Sequence, residues 1–404
     1  MWNSGPCSLD ALPSRAGEPP TILVGVTHPQ TCLVLSARLR MLREAGFRVI
    51  LVCSPGELLW RTAAREHIEP IAIPMRRTIS PFADLISFFR LWKLLGFRKP
   101  DLVEFSTPKA GLLGTLAAML RGVPRRVYIL RGLKLETSTG LKRQILLWAE
   151  RLTAACAQVV LCNSASLRAQ AIALHLAPES KLRLLGEGST HGVDSMQFCP
   201  GPSHVRAQLK IPREAPLVGF VGRLTRDKGL PELVEAFHQI LRAEPSAHLL
   251  LVGWFDAAED ALSSSLRLRI QNQPRIHCTG LVRDTAPYYR AMDVMVLPTW
   301  REGFPNVVLE AAATGIPVVT TVSTGARDSV VPEVTGLLIQ PGHAEAICEA
   351  VLKIVRDPSR KRSMGQAARA WVLEHYPEER VITVAADYYR ALIETPGLVP
   401  FQPA

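Results

Sequence analysis

The chain has no Cys-x-x-Cys pair and no cysteine–histidine spacing that suits zinc, and no apolar run approaches the ~20 residues needed to span a bilayer. Its eight cysteines lie scattered, at Cys7, Cys32, Cys53, Cys156, Cys162, Cys199, Cys278 and Cys348. They read as small buried apolar residues in a reducing cytosol, and neither a disulfide framework nor a metal site is expected. The most hydrophobic helix candidate, Ile79 to Phe97, is interrupted by Asp84, Arg90 and Lys93, so any membrane contact is expected to be peripheral. The first twenty residues have neither a basic start nor a continuous apolar stretch; a loose tail is expected there, not a secretory leader. Aromatic and basic residues do not interleave, and no nucleic-acid-binding module is recognisable, so no nucleic-acid partner is expected.

What the chain has is length and a skewed charge. Its 404 residues, 48% hydrophobic, suit two domains of roughly 150 to 200 residues each. Residues 1–200 hold 25 Lys and Arg against 14 Asp and Glu, whereas residues 201–404 hold 22 of each, so the whole net charge of +11 lies in the first half. A basic half beside a neutral one points to an anionic partner such as a membrane surface, a lipid diphosphate or, as the less favoured alternative, nucleic acid, unless it reflects a general preference for Arg.

Apolar runs alternate with helical patterns throughout. TILVGVT (21–27), FRVILVC (47–53), DLVEFS (101–106), RVYILR (126–131) and QVVLCN (158–163) form one series. PLVGFVG (216–222), HLLLVGW (248–254), RIHCTG (275–280), VMVLP (294–298), PVVTT (317–321) and GLLI (336–339) form a second. Strands this uniformly apolar need helices on both faces, so the expected class is α/β, with two doubly wound Rossmann-like domains facing a cleft. The stretch GEGSTHGVDSMQFCPGP (186–202) breaks both periodicities and reads as the linker. The expected division is a tail at 1–20, a first domain at 21–190, a second at 191–375, and at 376–404 a helix that crosses back, followed by a tail. Tyr376-Pro377 marks the change of direction.

Two constellations in the second half carry chemistry. Gly222-Arg223-Leu224-Thr225-Arg226-Asp227-Lys228-Gly229 lies between a strand and a helix that starts near Pro231. Glycines let a backbone approach a phosphate, and Arg223 and Lys228 supply positive charge to a diphosphate leaving group, a task that requires no metal. Glu302-Gly303-Phe304-Pro305-Asn306-Val307-Val308-Leu309-Glu310 follows another strand, with Pro305 suited to a first helical turn. It offers loop amides for phosphates and two carboxylates for hydroxyls, Glu310 for a ribose and Glu302 for a sugar. The plain alternatives are solvated loop charges, a Glu302 serving the helix dipole and a solvated Glu310.

The paired Glu spaced eight apart, with the upstream Gly-Arg-x4-Lys-Gly, resembles the family-four glycosyltransferases, which are retaining GT-B enzymes. Ser106-Thr107-Pro108-Lys109-Ala110-Gly111-Leu112-Leu113-Gly114, Leu130-Arg131-Gly132-Leu133 and the segment Gly186 to Asp194 resemble the capsular and exopolysaccharide branch acting on undecaprenyl-diphosphate-linked sugars. The resemblance covers Thr21 to about Ile393. It implies transfer of a hexose or N-acetylhexosamine from a nucleotide-diphosphate sugar, UDP first among them, to a lipid-diphosphate-linked sugar or a growing polysaccharide. Retention, no divalent metal and a place on the inner face of the plasma membrane are implied as well.

It also implies donor contacts at Gly222, Arg223, Lys228, Val282 (in the loop Thr279 to Asp284), Glu302, Gly303, Phe304, Pro305, Asn306 and Glu310, with Arg223, Lys228 and Glu302 at the chemistry. The acceptor-side candidates are His28, Lys109 and Arg131, each of which also reads as an ordinary structural or loop residue. The segment Met75 to Lys99 reads equally as a surface for anionic lipid or as a core helix. Many relatives carry a His before the Thr-Pro-Lys segment, where this chain has Glu104 and Ser106. A sugar-nucleotide epimerase of the same fold is the alternative enzyme; it lacks the paired-Glu pattern.

Overall fold

The computed structural model describes residues 19–256 and 260–394; the expected tails at 1–18 and 395–404 lie outside the described residues. Seven strands form the first sheet: β1 (Thr21–Gly25), β2 (Arg48–Cys53), β3 (Glu69–Ala72), β4 (Leu102–Ser106), β5 (Arg125–Leu130), β6 (Val159–Cys162) and β7 (Leu182–Leu184), in the order β3-β2-β1-β4-β5-β6-β7. Six form the second: β8 (Leu217–Val221), β9 (His248–Val252), β10 (Ile276–Gly280), β11 (Val294–Leu297), β12 (Val318–Thr321) and β13 (Gly336–Ile339), in the order β10-β9-β8-β11-β12-β13. Every pairing is parallel. Strands β4, β8 and β9 are buried at every residue because helices cover both faces. The expected class, two doubly wound α/β domains, is the one the chain adopts.

The first sheet ends at Leu184 and the second begins at Leu217. In the segment between them Val193 N donates to Tyr376 O at 2.9 Å, and Glu378 N donates to Val193 O at 3.1 Å. The two crossings between domains therefore run side by side. Beyond Pro377 the helix Glu378–Glu394 packs on the helix Gln30–Glu44 of the first domain and contributes Tyr389 and Leu392 to that domain's core. Tyr389 donates its hydroxyl to Glu104 Oε2 at 2.6 Å and accepts from Arg38 at 2.7 Å, while Arg38 meets the same carboxylate oxygen at 3.0 Å. Burial works against the Arg38 charge, but Glu104 and Tyr389 more than offset it and raise the guanidinium above its ordinary pKa. Glu104 is thus committed to a buried ion pair that fastens the returning helix, and Ser106 keeps a buried hydroxyl with no hydrogen-bond partner.

The helix Pro81–Arg98 buries Ser87, Leu91 and Leu95 and packs Leu91 and Leu95 with Leu23, Ile50 and Val52 of the first sheet. Its other side leaves Phe82 88% exposed, together with Leu85, Ile86 and Phe89. One face is core and the opposite face is apolar and open. No helix among the described residues is long and apolar enough to cross a membrane. The expectation of uniformly buried cysteines fails at Cys278, exposed on the edge strand β10, and at the half-buried Cys199.

Candidate active site

In each sheet the strand order reverses beside the first strand, between β1 and β4 and between β8 and β11. Ligands of open α/β sheets bind outside the carboxyl ends of strands at such points. The loops that leave β8 and β11 are the two motif-bearing segments, and they are stitched together. Trp300 N donates to Asp227 O at 2.9 Å, Thr299 Oγ1 to the same carbonyl at 3.2 Å, and Lys228 Nζ stands 2.5 Å from Glu302 Oε1. Gly229, with φ of 74°, ends the short turn Arg226–Lys228 in the left-handed region. A Cβ there would lie 2.0 Å from Pro298 O, so the close approach of the two loops requires glycine.

The charges in this crevice are paired. Asp227 is buried, accepts from Thr225 Oγ1 at 2.6 Å, and meets Arg301 at 2.9 Å and Arg223 at 3.4 Å. Burial opposes its ionisation, but Lys228, Arg301 and Arg223 outweigh burial and hold its carboxyl below the ordinary range. Arg223 also reaches Asp256 at 3.3 Å. On the helix Asn306–Ala313, Glu310 accepts from Tyr289 Oη at 2.8 Å. Burial pushes its pKa up to about 7, against the lowering effect of hydrogen bonds from Tyr289 and Thr285. Among the described residues no group of three or more His, Cys, Asp or Glu is arranged to hold a metal ion.

The first domain closes over this crevice backbone to backbone. A Cβ on Gly303 would lie 2.5 Å from the Arg131 carbonyl carbon, and one on Gly132 would lie 3.1 Å from the Gly303 nitrogen. Asn306 clips the linker, donating to Gly192 O at 2.9 Å and meeting His191 Nδ1 at 2.6 Å, while it accepts from Ser189 Oγ at 3.1 Å. Burial, then Arg131 and Arg38, press the His191 pKa down to about 4, so its ring is neutral at pH 7. Thr324 donates to Glu136 at 2.6 Å across the same boundary, and Ser166 to Asp328.

The structure brings the loops carrying Gly222, Arg223 and Lys228 and carrying Glu302 and Gly303 together at one crevice, places Glu310 on the helix after the second loop, bonded to Tyr289, and leaves Val282 half-buried after β10 and packed on the second domain's core. Other expected side chains have different employment. Phe304 is buried against Tyr376, ring centroids 5.2 Å apart, and the Asn306 amide is spent on the linker. Pro305 occupies the capping position, so the helix starts one residue later than expected. Lys109 lies 2.6 Å from Asp84 and also bonds Thr78 O, so it is no free cation of the cleft. Arg131 is buried beneath the domain contact, where burial presses its pKa down to about 10; it is 3.5 Å from Thr190 Oγ1. His28 lines a cavity beside the cleft. Asp227, Asp256, Arg301, Arg77 and His191 were not anticipated as site residues; Asp227 sat in plain view inside the first motif.

Residues 215–357 match the family described as glycosyl transferases group 1, and residues 34–188 match a glycosyl transferase 4-like domain. The capsular polysaccharide biosynthesis glycosyltransferase CapM of Staphylococcus aureus is 33% identical over 372 residues, 91% of this chain and 96% of that protein. The chain belongs to the group 1 glycosyltransferases. It is also 28% identical to the Escherichia coli UDP-Gal:alpha-D-GlcNAc-diphosphoundecaprenol alpha-1,3-galactosyltransferase, over 83% of this chain and 88% of that one. Among solved structures, Anabaena HepE in complex with UDP and glucose superposes with a TM-score of 0.76 at 20% identity, covering 92% of this chain and 99% of that one. This group 1 chain is accordingly a glycosyltransferase that uses a nucleotide sugar.

A Glu310 that accepts from both ribose hydroxyls, one at each oxygen, does so as the carboxylate, because the neutral acid turns one oxygen into a donor. With its carboxyl at about 7 in the free protein, nucleotide-sugar binding should release a proton near neutrality, and affinity should rise about tenfold from pH 6 to pH 8. Calorimetry across that range should show the rise in the natural protein and a flat profile in Glu310→Gln; a pH-independent natural protein would remove Glu310 from the ribose.

Proposed function

We propose that this glycosyltransferase moves a hexose or N-acetylhexosamine from a UDP-sugar to a lipid-diphosphate-linked sugar or a growing polysaccharide, with retention of configuration and without a divalent metal. The observation that carries the reading is that Lys228 meets Glu302, and Arg223 meets Asp227, where the second sheet reverses its strand order, with Glu310 on the helix that follows the Glu302 loop. In this reading Arg223 and Lys228 neutralise the diphosphate as the bond from C1 to the phosphate oxygen breaks. Glu302 accepts from the donor sugar's hydroxyls. The acceptor oxygen bonds to C1 on the same face, its proton passes to the departing diphosphate oxygen, and a nucleoside diphosphate leaves.

Support for a UDP donor and a lipid-diphosphate acceptor comes from the E. coli relative, whose name states both. The epimerase alternative loses weight because CapM and the E. coli protein are both transferases. Incubation with UDP-, GDP- and ADP-sugars in the presence of a chelator should give turnover or hydrolysis of one UDP-sugar, an α-linked product from an α-linked donor by NMR, and a loss of about 100-fold or more in a folded Lys228→Ala variant. Strict dependence on added metal, an inverted product or near-natural activity in Lys228→Ala would each contradict it.

We further place the first domain, the acceptor-binding one in this reading, on an anionic lipid surface, at the inner face of the membrane. The open apolar side of the helix Pro81–Arg98 carries exposed Arg90 and Lys93 beside Phe82, Leu85, Ile86 and Phe89, an arrangement suited to interfacial seating. The protein should float with vesicles containing phosphatidylglycerol, and Phe82→Asp/Phe89→Asp should abolish flotation. Equal flotation of the double variant would exclude this face.

A further inference from the structure

Beside the cleft, at the carboxyl ends of β1 and β2 and in the segment after β3, lies a cavity of about 590 Å³ lined by His28, Gln30, Ser54, Gly56, Arg76 and Arg77 among others. Its walls are fixed. Ser54 Oγ donates to Met75 O at 2.9 Å and accepts from Met75 N at 2.8 Å, which holds the main chain immediately before the two arginines. Gln30 Oε1 is buried without a hydrogen-bond partner, an acceptor in want of a hydroxyl. Burial, and then the nearby Arg77, lower the His28 pKa, so the ring is neutral at pH 7. Arg76 and Arg77 are the cations among the lining residues, whose one carboxylate, Glu57, is paired with Arg61 at 3.0 Å.

Arg77 is held by the opposite domain. Its Nη1 lies 3.3 Å from Asp256 Oδ2 and 3.4 Å from Oδ1, and the same Oδ2 lies 3.3 Å from Arg223. One carboxylate therefore stands between a cation of the donor crevice and a cation of this cavity. Immediately after Arg77 and Thr78 the chain enters the exposed apolar side at Ile79 and Phe82. Along this short path the lining passes from Gln30, whose buried Oε1 a ligand hydroxyl reaches once the side chain turns outward, to two exposed guanidiniums, to open apolar side chains. A sugar joined through a diphosphate to a lipid has the same three parts in the same order.

We propose that this cavity is the acceptor subsite, with Gln30 on the acceptor sugar and Arg76 and Arg77 on its diphosphate, and that Asp256 is the anion which that diphosphate displaces from Arg77. The assignment rests on the lipid-diphosphate reading given above. Asp256 then links the two substrates. Each diphosphate competes with it for one guanidinium, Arg223 on the donor side and Arg77 on the acceptor side.

Farnesyl diphosphate, titrated calorimetrically into protein already saturated with UDP, is the probe. The natural protein should bind it at least about tenfold more tightly than farnesol, and Arg76→Gln/Arg77→Gln should lose at least about tenfold in affinity while still binding UDP, somewhat more weakly because Asp256 is then left wholly to Arg223. Asp256→Asn should bind it about threefold more tightly, because the competing anion is gone. Undiminished binding by the double arginine variant, or no preference for the diphosphate over farnesol, would overturn the assignment. Weak UDP binding beside intact, arginine-dependent binding of farnesyl diphosphate would instead strike the donor reading and leave the cavity's role standing.

Discussion

A cation drawn into a cleft between two domains costs several kcal/mol unless an anion meets it. The loops after β8 and β11 are organised by that constraint, whereas Arg131, buried beneath the domain contact, has no carboxylate against it among the described residues. Lys228 lies on Glu302, Arg301 on Asp227, and Arg223 between Asp227 and Asp256. These pairs keep a basic site folded in the absence of substrate. They also set the terms of binding: a diphosphate offers more negative charge than a single carboxylate and can take the same guanidinium and ammonium groups in exchange. The anions that hold the site together are thus the groups a ligand must outcompete.

The domain contact gives that exchange its geometry. Gly132 and Gly303 allow main chain to meet main chain at the floor of the cleft. The two chain crossings, at Val193 and at Tyr376 to Glu378, are bonded to each other. The returning helix is secured by a buried Arg38–Glu104–Tyr389 cluster. Glu104 is spent on this fastening.

How much of this was legible in the sequence depends on how local each feature is. Central parallel strands announced themselves because residues covered on both faces are uniformly apolar, as in LVGFV and HLLLV. The edge strands β3 and β7 did not: EPIA and LRL are four and three residues long and mostly half-buried. The two loops that meet in the second domain were readable because Gly222 to Lys228 and Glu302 to Glu310 are contiguous. The surroundings of the first domain's cations were not. Lys109 and Arg131 drew attention as cations after strands, but where a side chain goes depends on its partner in space, here Asp84 for one and the domain contact above the other. Arg77 and Asp256 are 179 residues apart, and only the apposition of the two sheets makes them neighbours. The segment Met75 to Lys99 offered two readings because an amphipathic helix with apolar residues on both sides carries both signals.

The most direct test of the charge-exchange account is a crystal structure of the protein with an intact UDP-sugar. The account predicts Lys228 turned from Glu302 to the diphosphate, Arg223 drawn from Asp256 to the same group, Glu302 on the sugar's hydroxyls and Glu310 on the ribose. A nucleotide sugar bound with the Lys228–Glu302 and Arg223–Asp256 pairs still closed would contradict it.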